Sequence, residues 1–452
     1  MTAIARLSDF VVKTTLEDCP RPALDAIRRA ALDTVGVMLA GAGEPAARAV
    51  REVIRAEGGA PLCTVLGTAL RTAPTWAALA NGTAGHAHDF DDTSFALMGH
   101  PSVPLLAALL ACAEAEMADG AALALGYLVG FEVNAALGSG LNPPHYERGW
   151  HATSTIGTFG CAAGAARVLG LDPAQTRQAL ALAASLASGV QENFGTMTKP
   201  YHAGHAARSG VLAARLAREG LTASESALDG KRGFSAAFGG NPLDEAVERL
   251  GRRWHLVDSG IAVKPYPSCA FTHPAVDALL DLRRQHGLEA GDVTAVEIGI
   301  SRIAIEVLSY PRPATALERK FSMQFCAATA LVEGRLDFLA FRDGEVDDPV
   351  VQALMPAVTM VADESLAGGA EQARSRVTVR LRDGRALHSP PRGASGHPDR
   401  PLSAQALHEK FLGCASPVVG RDEAEAVAEQ IAHLEDIPDV RALTARLVGG
   451  ID

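Results

Sequence analysis

The sequence predicts a mainly α protein: a large all-α helical domain with an inserted, smaller α+β lid domain. Three observations predict it. Up to about residue 260, apolar residues recur at helical spacing in one run after another. From about 265 to 395 the pattern turns to the alternation of half-buried strands. Beyond residue 403 the helical spacing returns. The expected parts are 1–262, the first part of the helical domain; 263–396, the lid; and 397–452, helices that rejoin the helical domain.

The elements follow in order. Arg21-Pro22 opens the run ALDAIRRAALDTVGVMLAG, with Gly41 as its stop. Similar runs cover about 44–57, 73–86, 102–118, 122–138, 152–169, 173–189 and 203–218. Several are rich in small residues, as in GTFGCAAGAARVLG, which lets helices pack closely. VTAVEIGIS (293–301) alternates as a strand, and SRVTVRLRDGRALHS (375–389) alternates on both sides of Asp383-Gly384, a hairpin signal. PPRGASGHPDRP (390–401) reads as a linker, and Ser403 is placed to cap a helix running to about 415.

Composition narrows the function. A net charge of -11 and a pI near 5.7 argue against nucleic acid and anionic membrane surfaces, and an anionic substrate would need local basic groups. The seven Cys stand singly, with no C-x-x-C, so reduced thiols in a cytoplasmic setting are expected. The segment MTAIARLSDFVVKTTLED carries acids and lacks the apolar core of a signal peptide, and no uninterrupted apolar run reaches membrane-span length. Lys occurs only at 13, 199, 231, 264, 320 and 410, with Arg at most other basic positions. Base composition accounts for that bias. A Lys that persists under it is a candidate for a wanted titratable amine.

The chemistry concentrates in four segments, each at a helix end or connector. The first, NGTAGHAHDFDDTSFALMGHPS (81–102), sets His86, His88, Asp89, Asp91, Asp92, Thr93 and His100 between apolar flanks, the arrangement of a pocket floor. The others are His145-Tyr146-Glu147-Arg148-Gly149-Trp150-His151, Lys199-Pro-Tyr201-His202 leading to His205 and Arg208, and Lys264-Pro-Tyr266-Pro-Ser268-Cys269. Such acids and bases suit proton abstraction beside a carboxylate, followed by loss of water, loss of carbon dioxide or reprotonation. Arg148 and Arg208 are placed to clamp a carboxylate.

Structural readings compete. His86 and His88 stand two apart and do not share a helix face, so one is expected to be structural. Asp91 and Asp92 could simply cap a helix, and His145 and His202 could sit in solvent. Without an H-E-x-x-H or H-x-x-x-H pair, no metal site is expected. D-F-D-D-T also has the form of a terpene-cyclase acid, but those enzymes need aromatic walls and aromatics make up only 5 % of this chain. No G-x-S-x-G, Walker loop or G-x-G-x-x-G supports acyl, phosphoryl or dinucleotide chemistry.

The phrases NGTAGHAHDFDDT, GHPSVP, GWHATSTIGTFGCAAGAA, GTMTKPYHAGHAARSGVLAA, VKPYPSCAFTHPAVDA, KFSMQFCAATAL and LHEKFLGCA occur in this order. In them the chain resembles the MmgE/PrpD family almost end to end. That family includes 2-methylcitrate dehydratases, cis-aconitate decarboxylases and iminodisuccinate epimerases. The resemblance implies a helical domain with an α+β lid, a pocket between them, a homodimer, and no metal or organic cofactor. It implies active-site roles for Asp89, Thr93, His100, His151 and Lys199, an acid/base pair of Tyr146 and Lys199 in epimerase-like members, and a basic lid-edge residue at Lys264. Two positions depart from decarboxylase-type relatives: Cys269 stands where they carry His, and Phe325 where many carry Tyr. The combination of D-F-D-D, M-G-H-P-S and H-Y-x-x-G-W-H looks closer to the epimerase-like branch.

The expected activity is thus a cofactor-independent lyase on a small di- or tricarboxylate. Asp89, Thr93, His100, Tyr146, His151 and Lys199 would form the acid–base set, and Arg148, His202, Arg208, Lys264, Cys269 and Phe325 would contact substrate. Alternatives are an epimerase or racemase using Tyr146 and Lys199, and a silent carboxylate-binding relative.

Overall fold

Most long helices begin where local chemistry allows. Pro lies in the first turn of Arg21–Gly41, Pro45–Glu57, Pro74–His86 and Pro173–Leu186. Asp119 and Asp172 cap Gly120–Leu141 and Pro173–Leu186 through their side chains. The computed structural model describes residues 2–239, 242–341, 348–366 and 374–451. One hydrophobic cluster gathers apolar residues from Ala3 to Leu256 together with Phe411 to Leu447. The C-terminal helix Ala404–Val419, capped by Ser403 as expected, therefore returns to pack on Arg21–Gly41.

A second cluster is built from Cys269 to Leu381, with Tyr146 and Phe194 reaching into it from the helical part. Its sheet has the order Val358–Ala362, Val293–Ile300, Arg374–Leu381, Ala386–Gly393. The first pair is parallel and the rest antiparallel, with Val296 opposite both Val358 and Val379. Arg374–Leu381 alternates between buried and exposed positions, the pattern of a sheet covered on one face. Helices His273–His286 and Met323–Glu333 pack on it. The hairpin turns at Asp383-Gly384, where Gly384 has φ +87°.

Four expectations need correction. The first part is not purely α: Cys63–Thr64 and Arg71–Thr72 pair antiparallel, strands too short to show a period. Residues 390–393 are not linker but the end of strand Ala386–Gly393, and Pro390 and Pro391 fit because that strand is at the sheet edge. Helix Gly120–Leu141 is long and apolar enough to cross a membrane, yet its most apolar window is 89 % buried within the protein. The helix expected from 203 starts at Thr198, because a first turn tolerates Pro200, and this puts Lys199 on a rigid element.

Helices Pro74–His86 and Thr198–Arg218 carry the site between them. They approach closely at Gly82 and Gly204: a Cβ on Gly204 would lie 2.3 Å from Leu79 O and Thr83 Oγ1. His86 ends one helix and Lys199 starts the other, so this contact sets their separation. Gly204→Val should destabilise the protein by about 1–3 kcal/mol through overpacking and lower activity as the helices part. Urea denaturation checks the first effect, and an unchanged midpoint would refute the close-packing argument.

Candidate active site

The chain leaves helix Pro74–His86 and turns back at Asp89, among the described residues one of three non-glycines with positive φ (+52°). A left-handed residue costs roughly 1–2 kcal/mol, less for Asp than for most. Lysines hold the turn in place. Lys320 Nζ donates to His88 O at 2.7 Å, Lys264 Nζ to Asp89 O at 2.8 Å, and Lys410 Nζ to Phe90 O at 2.8 Å. The Asp89 carboxylate in turn accepts from Lys264 Nζ at 2.7 Å and Lys199 Nζ at 3.0 Å. Four of the six lysines thus converge on one buried turn. Lys264 also donates to Ser268 O at 3.0 Å, so all three of its N–H groups are committed.

A second chain of contacts runs through His86. Its Nδ1 lies 2.8 Å from Asp91 Oδ1 and its Nε2 lies 2.8 Å from Lys199 Nζ. With the Nδ1 proton on Asp91, Nε2 accepts from Lys199. His100 Nδ1 lies 3.0 Å from Asp91 Oδ2, out of line for a hydrogen bond, and its Nε2 lies 3.5 Å from Asp89 Oδ1. His151 Nδ1 meets His202 Nδ1 at 3.0 Å, so one of the two carries the proton. Asp92 does what a cap does: it accepts from Ser102 N and Ser102 Oγ at the start of helix Ser102–Glu116.

Burial and these neighbours tune the groups apart. Burial alone would raise the Asp89 carboxyl, but the ammonium groups of Lys199 and Lys264 hold it well below the usual range. Burial pushes His86 down to about 4, against the pull of Asp91. It lowers His100 as well, again against Asp91 and helped by Lys264 and Lys199. His151 is pushed well below the usual imidazole range by burial and then by Lys199 and His202. Burial, Cys269 and Asp89 raise the Tyr146 hydroxyl, and burial with Asp89 raises the Cys269 thiol to about 11. The site at neutral pH therefore holds a carboxylate, neutral imidazoles, a phenol and a thiol.

Asp89, Thr93, His100, Tyr146, His151, Lys199, Lys264 and Cys269 all line one cavity of about 400 Å³. Thr93 Oγ1 is buried without a partner, and among the described residues the Tyr146 hydroxyl has none either. Four expected substrate contacts lie elsewhere. Arg148 is exposed and its guanidinium lies against Gly239. Arg208 stacks 5.0 Å over Trp76. Phe325 is buried in the second cluster beside Phe341 and under Arg319. His202 stands behind His151, outside the cavity wall. Neither His145 nor His202 is in solvent; His145 is buried against Thr155 Oγ1 at 2.8 Å. His88 is the structural histidine, held near Ala40 O.

The sequence placed His86 and Asp91 in the pocket-floor segment but gave them no part in the acid–base set, and it gave no sign of Phe194, Phe321 and Asn142 in the cavity wall. Lys320 and Lys410 carried one signal, their survival in an arginine-rich chain.

His86, Asp89, Asp91 and His100 each bring one ligand-type atom within 4.8 Å of the others. Two ammonium groups already sit on Asp89, and both nitrogens of His86 are engaged. A divalent ion there would meet those positive charges at contact distance, so the donor set fits lysine ammonium better than a metal.

Buried acids and bases tuned apart around a cavity mark a candidate active site. Comparison with known proteins gives the particular family. The family model of the MmgE/PrpD N-terminal domain matches residues 5–246, and that of the C-terminal domain matches 266–436. The chain belongs to the MmgE/PrpD family, and it is an enzyme of the lyase or isomerase type found there. It is 32 % identical over 390 residues to a cis-aconitate decarboxylase of Homo sapiens, covering 84 % of this chain and 80 % of the relative. To the cis-aconitate decarboxylase of Mus musculus it is 30 % identical over 434 residues (93 % and 88 %). A cis-aconitate decarboxylase-like protein of Aspergillus oryzae is 26 % identical over 475 residues (98 % and 97 %).

Two measurements test this electrostatic picture. Lys264→Met takes one of the two ammonium groups from the Asp89 carboxylate and the donor from the Asp89 carbonyl, and should cost about 1–3 kcal/mol, the penalty for a buried acceptor left short of its partner; chemical denaturation reads it. The second is pH. Nine histidines are lowered on folding, including His86, His145 and His202 to about 4 and His88 and His273 to about 3. The unfolded chain therefore binds more protons than the folded one between about 6.5 and 4, and their contribution to stability is lost as pH falls through that window. Three raised carboxyls, Asp33, Asp92 and Glu132, act in the opposite sense but are outnumbered. The urea midpoint should fall steadily from pH 7 to pH 4, and a flat profile would contradict neutral buried imidazoles.

Proposed function

We propose that this enzyme is a cofactor-independent lyase acting on a small polycarboxylate, with decarboxylation the favoured reaction. The carrying observation is that Lys199, bonded to both Asp89 and His86, faces a cavity that also holds neutral imidazoles, a phenol and a thiol. The likeness to cis-aconitate decarboxylases supports the same reaction type.

In this reading Lys199 binds a substrate carboxylate carried on the saturated carbon adjacent to a carbon–carbon double bond. The rings of Phe194 and Phe321, 5.5 and 5.3 Å from Lys199 Nζ, keep water from it. The bond to that carboxylate breaks and carbon dioxide leaves. The electron pair shifts the double bond, and the far carbon takes a proton. Tyr146, whose raised pKa keeps it a phenol, is the donor and recovers its proton from solvent. A hydroxylated substrate would instead lose water, with neutral His151 taking the proton beside the carboxylate and Tyr146 protonating the leaving hydroxyl. Residues 263–396 act as a lid, supplying Lys264, Cys269, Phe271, Val307 and Phe321 to the cavity.

A second reading is supported by the presence of Tyr146 and Lys199 in the wall of the same cavity: removal and return of one proton, giving an epimerase. The test is incubation with cis-aconitate, citrate and methylcitrate, following carbon dioxide release and double-bond absorbance, with recovered substrate analysed for deuterium. Release of carbon dioxide or water supports the lyase, and deuterium wash-in without either supports the epimerase. Lys199→Ala should lower kcat by about 10²–10³-fold, the usual weight of one preorganised group that stabilises charge at the reacting centre. Turnover of none of these acids, or a Lys199→Ala variant as fast as wild type, would overturn the reading.

A further inference from the structure

His151 stands in the cavity wall, where burial and then the ammonium of Lys199 hold it well below the usual imidazole range. A base in that position meets a difficulty. If it took a proton at one nitrogen and kept the proton on the other, it would become a buried cation beside Lys199. What lies behind the ring offers a way out.

His151 Nδ1 meets His202 Nδ1 at 3.0 Å, so the two rings share one proton between them. The remaining nitrogens face different surroundings. Neither Nε2 has a partner among the described residues, and neither is sealed from water. His151 lines the cavity, so its Nε2 is open there, whereas His202 is outside the cavity wall and its Nε2 meets water elsewhere. Both rings are held from several sides. His202 is three residues after Lys199 on helix Thr198–Arg218, so the two are neighbours on that helix. Gly189 O accepts from His151 N at 3.1 Å, and His202 O accepts from Ser154 Oγ at 3.2 Å. Phe194 meets the His151 ring edge-on, with centroids 4.9 Å apart. The result is an unbroken line from water through two imidazoles to the cavity.

We propose that His202 is the proton relay of His151, passing a proton between His151 Nδ1 and water so that His151 changes from acceptor to donor without gaining charge. This rests on the lyase reading for the step in which His151 takes a proton from substrate. As the substrate C–H bond breaks, its electron pair stays on carbon and the proton forms an N–H bond at His151 Nε2. The Nδ1 proton of His151 moves to His202 Nδ1, and the Nε2 proton of His202 leaves to water. One proton has gone from substrate to solvent, and both rings are still neutral, each as the other tautomer. Return of a proton along the same line restores the first state. His202 touches no substrate in this scheme; it is a positioning residue that acts through His151.

Nitrogen NMR of the histidine rings in the intact, substrate-free protein tests the shared proton, with His151→Asn and His202→Asn identifying the signals. At neutral pH one of the two rings should carry its proton on Nδ1 and the other on Nε2. Both rings protonated at Nε2 would share nothing, and that result overturns the relay. Kinetics tests the transfer. His202→Asn keeps a hydrogen-bonding group for His151 Nδ1 but has no second nitrogen to hand a proton on. It should slow loss of water and deuterium wash-in about 10²-fold, the lower end for a positioned proton carrier, with KM unchanged. Imidazole added to His202→Ala should restore part of the rate. A His202→Asn variant as fast as wild type, or a loss in His202→Ala that imidazole leaves unchanged, overturns the relay and leaves the lyase reading standing. Turnover of no acid removes the lyase reading, while the ring signals still decide whether the proton is shared.

Discussion

The carboxylate of Asp89 carries two ammonium groups, and the peptide carbonyls on and around it carry lysines as well. The partners come from three parts of the chain. Lys199 starts a helix of the helical body, Lys264 and Lys320 lie in the α+β part, and Lys410 is on the returning C-terminal helix. An isolated buried ammonium or carboxylate would neutralise itself by a pKa shift. Here each is paired, so charges persist in a dry interior. Lys320 shows the limit: it donates only to the carbonyls of His88 and Pro267, and burial lowers it to about 8. The turn at Asp89 is therefore both the mechanical joint of three parts of the chain and the electrostatic centre of the cavity.

The close helix contact at Gly82 and Gly204 belongs to the same design. Small residues let two backbones approach, which brings His86 within 2.8 Å of Lys199. That proximity puts a positive charge beside imidazoles already disfavoured as cations by burial. Neutral histidine next to ammonium is the consequence, and it is what separates proton acceptors from proton donors here. Packing, charge state and chemistry are consecutive results of one choice of residue size.

Both hydrophobic clusters contribute to the cavity. The helical body supplies most of the acid–base groups, while residues 263–396 supply a lysine, a thiol and apolar surface. Tyr146 and Phe194 belong to the helical part by sequence but pack into the second cluster. The wall is thus shared across the seam, so movement of one part on the other would change the lining directly.

Much of this was legible in the chain itself. Helical spacing, caps, the Asp-Gly turn and strand alternation are local, and the long elements lie where those patterns put them. The clustering of His86, Asp89, Asp91, His100 and Lys199 in small, apolar surroundings marked the site, because ionisable groups rarely occur there without partners. The pairings were not legible. Which oxygen of Asp89 takes which lysine, why His86 is in the network while His88 is not, and why Arg148 and Arg208 stand away from the cavity all depend on distances between residues far apart in order. Local sequence sets backbone preference and burial tendency, so it determined the elements and the kinds of groups present. Charge pairing and cavity shape depend on positions to within a fraction of an ångström between separate elements, and only the assembled tertiary structure decides those.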